Sequence, residues 1–336
     1  MNSTEFDPST CTLPSIADTP LIYYPSLLSF YITMLIILCV LITLGNCIII
    51  WAFIHVKKLR DKKYVLIGSL CLTDFLTGII LPIQILAPPS FVDAIGLSLA
   101  IISVFTILAI AIERFYILVL MNVDMSRTAA TGRQLILICI LMWLTVFLVV
   151  VPWTAYPRKY IILLYSFAPL SVIVVMIGVS VLYASIFHTM HKMDKKKQSK
   201  LGKRSLNRTK LVIQAYAIIV VMFSVCWLPW CIEALRTAFD TYFSSNPADR
   251  EVCYVATIPA IFLLNLGLLN SAINPLIYWL KLPDFHDAIN RLPIFKCFTC
   301  KSCQKRSAIS RSDSSFSNSG SVMNTVAVQI NEVTNS

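Results

Sequence analysis

Several polar side chains in this sequence stand inside long apolar runs. Asp74 follows Leu70-Cys71-Leu72-Thr73, Asn46 follows Leu44-Gly45, and Glu113 and Arg114 adjoin at the end of a third run. A later run holds Asn270, Ser271 and Asn274, then Pro275 and Tyr278. Polar groups in such runs are costly and therefore mark function by default. Glu113 can hold Arg114 in a charge-assisted pair, whereas Asp74 has no compensating charge in its own run. Catalytic constellations are missing: there is no H-E-x-x-H, no phosphate loop and no Ser-His-Asp set in register, so no enzyme is expected. Cys297, Cys300 and Cys303 form a C-x-x-C-x-x-C run, but Ser307 replaces the fourth ligand that an iron–sulfur site requires. Beside Lys296 and Lys301 these cysteines read as palmitoylation sites. His188 and His191 lack a carboxylate or Cys partner in register and read as interfacial polar residues.

The elements that carry these residues follow from composition. Of 336 residues, 57% are apolar and 13% charged, against about 45–50% and 25% in soluble proteins. Lipid must be the solvent for much of the chain. Apolar stretches at 27–55, 64–87, 91–121, 134–156, 160–187, 211–238 and 254–280 each cover the roughly 20 residues that a helix needs to cross a bilayer. Alternating ten-residue segments do not occur, which excludes an outer-membrane barrel. The expected fold is an all-α integral membrane bundle of seven helices. A short amphipathic eighth helix follows at Pro283–Leu292, with Phe285 and Ile289 on one face. The expected organisation is an extracellular N-terminus at 1–26, the bundle at 27–280, and helix 8 with a disordered tail at 281–336. With the N-terminus outside, 24 of 28 Lys and Arg fall inside and only Arg158, Lys159, Arg236 and Arg250 do not. The positive-inside rule selects that orientation. The net charge of +11 is thus topological, and no nucleic-acid partner is expected; the basic loops face membrane lipid.

In order along seven such helices, Asn46, Asp74, Glu113-Arg114, Trp143, Cys226-Trp227-Leu228-Pro229 and Asn274-Pro275-Leu276-Ile277-Tyr278 resemble the rhodopsin-like (class A) G-protein-coupled receptors. The resemblance runs from about Leu28 to Cys303 and implies a receptor that activates a heterotrimeric G protein. It assigns Arg114 to G-protein engagement once helix 6 swings outward, with Glu113 as its resting partner. Tyr183, Trp227, Pro229, Asn274, Pro275 and Tyr278 complete the implied activation switch. Thr209, flanked by Arg208 and Lys210, stands where the family often has an acidic restraint at the base of helix 6. Basal activity without ligand is therefore expected. Asp74, Ser103, Asn270, Ser271 and Asn274 match the family's sodium pocket, and oxygen donors suit a hard cation. The alternative is a water-filled network around a neutral Asp74.

Departures narrow the group. Pro89 replaces the helix 3 cysteine that usually anchors the second outer loop, that loop (about 155–160) is short and without Cys, and Val175 stands where helix 5 often has proline. This pattern looks like the melanocortin, adenosine, cannabinoid and lysophospholipid receptors. Asp93 matches a melanocortin calcium-site acid, but Gln84 and Pro89 are not carboxylates, so a calcium-assisted site is not expected. Gly96 replaces the amine receptors' aspartate and Leu268 the opsins' lysine, which excludes both ligand classes. A peptide or lipid-like ligand is expected among Gln84, Asp93, Trp227, Glu233, Asn265 and Leu268; ordinary bundle packing is the alternative for each.

Of eleven cysteines, Cys39, Cys47, Cys71, Cys139, Cys226 and Cys231 lie in the spans, where they are expected to be buried. Cys11 and Cys253 are extracellular and are expected to pair in that oxidising environment, against a free or intermolecular thiol. Asn2-Ser3-Thr4 is a glycosylation sequon, and Asn207-Arg208-Thr209 a cytosolic, silent one. The Ser-rich tail offers phosphorylation sites for receptor kinases and arrestin. The expected location is the plasma membrane, with several passes. A transporter or channel would show internal repeats and charges along a pore, and neither is present. A ligandless receptor of the same fold stays open.

Overall fold

A computed structural model describes residues 23–86, 91–121, 130–155, 166–196, 200–243 and 258–292. Seven long helices form the bundle: α1 Pro25–His55, α2 Val65–Leu86, α3 Phe91–Phe115, α4 Gly132–Val150, α5 Ala168–Lys196, α6 Lys200–Phe243 and α7 Ile258–Lys281. By length and composition all seven can cross a membrane. The short α8, Pro283–Asn290, follows. Contacts divide the chain into units 1–286 and 287–336. In the second, residues 287–292 are described and close α8 with a turn, Leu292 N–H donating to the Ile289 carbonyl at 3.0 Å.

Local chemistry sets the helix ends. Pro25 opens α1, where its missing N–H costs nothing. Thr131 and Gln134 cap α4 reciprocally, the Gln134 N–H on Thr131 Oγ1 and the Thr131 N–H on Gln134 Oε1. Two short 3₁₀ turns, Lys57–Arg60 and Lys62–Tyr64, join α1 to α2. Within the bundle α1 packs on α2 and α7, α3 on α2, α4 and α5, and α6 on α5 and α7.

Lipid is no less apolar than leucine, so burial alone does not hold such helices together. Side chains such as Leu148 and Val174 point outward into the lipid space. Cohesion comes from packing and from polar contacts between helices. Trp143 Nε1 donates to Ser69 Oγ at 3.1 Å, tying α4 to α2. Asn46 Nδ2 donates to the Ser271 carbonyl at 3.1 Å, tying α1 to α7. That carbonyl is available because Pro275, four residues on, has no N–H to offer it.

Two expectations need correction. Cys47 is exposed and faces lipid, unlike the other five span cysteines, which are buried; hydropathy marks a span without saying which face points inward. The helices of spans 5 and 6 run beyond their apolar stretches at the Arg114 end, because apolar runs mark only the lipid-embedded part. Lysine favours helix once water is available, so α5 continues to Lys196 and α6 starts at Lys200.

Candidate functional site

Three polar centres lie along the bundle. In the middle, α7 presents Asn274 four residues after Asn270 and three after Ser271, hence beside both on one face. Asp74 of α2 is fully buried and accepts from Ser271 Oγ at 2.7 Å and Asn274 Nδ2 at 2.8 Å. Ser103 of α3 and Asn270 are also buried. The Ser103 hydroxyl and the Asn270 side-chain oxygen have no hydrogen-bond partner among the described residues. One carboxylate, hydroxyls and carboxamide oxygens with spare lone pairs form a donor set that suits a hard monovalent cation.

At one end of the bundle α3 closes on Glu113 and Arg114, both buried, with their charged groups 3.4 Å apart. Arg114 Nη2 also donates to the Lys63 carbonyl at 2.9 Å. Its guanidinium carbon lies 5.3 Å from the Tyr216 ring centroid. Tyr183 and Tyr278 are buried, and the Tyr278 hydroxyl has no partner among the described residues.

Lys63 serves twice there. Its carbonyl holds Arg114, while its ammonium meets Asp284 at 2.9 Å. Lys58 Nζ at 2.6 Å and the Tyr64 hydroxyl at 2.5 Å reach the same carboxylate. Burial pushes the Asp284 pKa up, but the hydrogen bonds from Lys58, Tyr64 and Lys63 outweigh it and hold the group well below the usual carboxylate range. Phe285 adds ring contacts to Phe53, Tyr64 and Tyr278, with centroids 5.1–5.7 Å apart.

The six candidate ligand residues are carried by α2, α3, α6 and α7. Gln84 Nε2 donates to Asp93 Oδ1 at 3.3 Å. That Gln84 position needs Gly96, since a Cβ there would lie 2.3 Å from Nε2. Trp227 stacks edge-on with Trp230, centroids 5.7 Å apart, and lies close to Gly267. Glu233 is engaged by Arg236 at 2.8 and 2.9 Å. Leu268 packs with Tyr31, Leu35 and Leu81, and Asn265 is buried. The sequence reading singled out neither Tyr216 nor Asp284. Tyr216 looks like one more core aromatic, although a phenol thirteen residues before Pro229 falls near the arginine end of α3. Asp284 looks like one more solvent-facing polar residue of α8. Cys11, Cys253, Asn2, Cys297, Cys300 and Cys303 lie outside the described residues, as does the Thr209 side chain.

Comparison with known proteins gives a consistent picture. The family model "7 transmembrane receptor (rhodopsin family)" matches residues 45–162 and 153–278. The chain is 24% identical over 298 residues to sphingosine 1-phosphate receptor 1 of Danio rerio, covering 79% of this chain and 78% of that protein. It is 24% identical over 340 residues to a GQ-coupled rhodopsin of Mizuhopecten yessoensis, covering 84% of this chain and 65% of that one. The crystal structure of squid rhodopsin superposes with a TM-score of 0.60 at 18% identity, covering 81% of this chain and 88% of that one. The seven spans, the motif order and the family match agree: the chain belongs to the rhodopsin family of seven-transmembrane receptors, which are receptors and not enzymes.

Proposed function

We propose that this receptor sits in the plasma membrane with its N-terminus outside and converts binding of a peptide or lipid-like ligand into activation of a heterotrimeric G protein. The observation that carries the proposal is the buried Glu113–Arg114 pair, where a long cation is held inside the bundle end by one acid, one carbonyl and one ring. A buried charge kept this way is a switch element: moving the helices exposes it to a partner. Gly96 and Leu268 argue against amine and retinal ligands, and the likeness to sphingosine 1-phosphate receptor 1 supports the lipid arm. The Asp74 pocket would hold sodium in the resting state through Asp74, Ser103, Asn270, Ser271 and Asn274. A Cys11–Cys253 disulfide would hold the N-terminus as a lid, and palmitoyl groups on Cys297, Cys300 and Cys303 would anchor the tail. Receptor kinases and arrestin would act on its serines.

A cell-based screen of lipids and peptides read out across several G proteins tests the reading. Ligand-dependent or ligand-free signalling by wild type is expected, and Arg114→Ala is expected to abolish it at unchanged surface expression. Full signalling by Arg114→Ala would refute the proposal.

A further inference from the structure

We infer that Tyr216 is the residue by which α6 holds Arg114, in place of the carboxylate that this chain lacks at the base of that helix. The inference rests on the receptor reading above. Arg114 is fixed from three directions: by Glu113 on its own helix, by the Lys63 carbonyl at the entrance to α2, and by Tyr216. Of these, Tyr216 is the one carried by α6. Its ring centroid is 5.3 Å from the guanidinium carbon, within cation–π range. Both side chains are almost wholly buried, Tyr216 at 2% and Arg114 at 3% exposure, so water does not compete with the contact. Residues 208–210 read Arg-Thr-Lys and offer no acid. An aromatic ring therefore does what an ion pair would do. Any outward swing of α6 carries the ring off the guanidinium, and the arginine then faces the opening cavity. Tyr216 is a positioning residue for Arg114.

The test uses the full chain in lipid nanodiscs without ligand. Two quantities are read: nucleotide exchange on a panel of G proteins, and hydrogen exchange of the inner end of α6. Tyr216→Leu is expected to raise basal nucleotide exchange roughly two- to thirty-fold, the range that a lost cation–π contact allows. Hydrogen exchange around residues 210–220 rises with it. Adding Thr209→Glu to Tyr216→Leu returns both quantities towards wild type, a rescue that a purely structural role for Tyr216 would not give. If Tyr216→Leu fails to reach the surface, Tyr216→Phe is compared with its ring-trifluorinated analogue, which keeps the shape and strips the negative face. The fluorinated form must then be the more active. Basal exchange at or below wild type in the Leu variant, failure of the glutamate to restore silence, or equal activity of the two phenylalanines would each overturn the inference. Failure of the receptor reading looks different: no variant drives any G protein, while α6 still loosens in Tyr216→Leu.

Discussion

Asp74 shows how a single residue dictates its surroundings. A carboxylate with no nearby cation keeps its place only if other groups satisfy its oxygens, and Ser271 and Asn274 do so at 2.7 and 2.8 Å. Pro275 contributes by freeing the Ser271 carbonyl for Asn46, which registers α1 against α7 beside the pocket. The spare oxygens of Ser103 and Asn270 lead to a direct expectation. Purified full-length receptor melts at higher temperature in sodium chloride than in choline chloride of equal ionic strength. At ten times the dissociation constant the gain is about 1.4 kcal/mol. Asp74→Ala removes the difference, whereas an equal rise in both proteins would favour a water-filled network. The cluster of Asp74, Ser271 and Asn274 was legible in the sequence because polar residues stand out in apolar runs. Tyr216 was not, because an aromatic residue in a membrane helix looks like packing until the arginine beside it is located. Nor was the hydrogen bond from Gln84 to Asp93, since register on a helix does not say which neighbour a side chain meets.

Between elements, small residues set how near two helices come. Gly267 of α7 lies against Trp227 of α6, and a Cβ there would sit 3.1 Å from the indole ring. An indole is rigid, so Gly267→Ala must push α6 and α7 apart or turn the ring. Overpacking of this kind costs about 1–3 kcal/mol, lowering the melting temperature. Gly178 of α5 is the matched control, because a Cβ there meets nothing within 4 Å. Gly178→Ala carries only the helix-propensity gain of about 0.5–1 kcal/mol, and its melting temperature stays level or rises. Equal effects of the two substitutions would refute the close-approach account. The seven helices themselves were readable from apolar length alone. Their extensions at the Arg114 end were not, since α5 and α6 run on through lysine-rich sequence that hydropathy takes for loop. The Asp284 contacts to Lys58, Lys63 and Tyr64 were equally unreadable, because they join residues more than 200 positions apart.

For the whole molecule the decisive question is which way the bundle faces, and the proposed answer rests on charge. With the N-terminus outside, 24 of 28 Lys and Arg lie on the inner side, the distribution that insertion favours. The inverted molecule would carry the nine basic residues from Lys192 to Lys210 across the membrane. The chain carries its own reporters of the outcome, because its two sequons fall on opposite sides. Asn2 precedes α1, while Asn207 lies within the first turns of α6, beside Arg208. Glycans are added only on the lumenal side, so the orientation decides which asparagine is modified. In the proposed orientation, glycosidase treatment of receptor from mammalian cells increases gel mobility. Asn2→Gln abolishes that shift and Asn207→Gln leaves it intact. An epitope tag at the N-terminus is then stained on unpermeabilised cells, and one at the C-terminus only after permeabilisation. The reverse pattern would place Arg114 and the Lys63–Asp284 cluster outside, where no G protein could reach them. Coupling through Arg114 therefore depends on this charge asymmetry, and one gel with two asparagine variants puts it to the test.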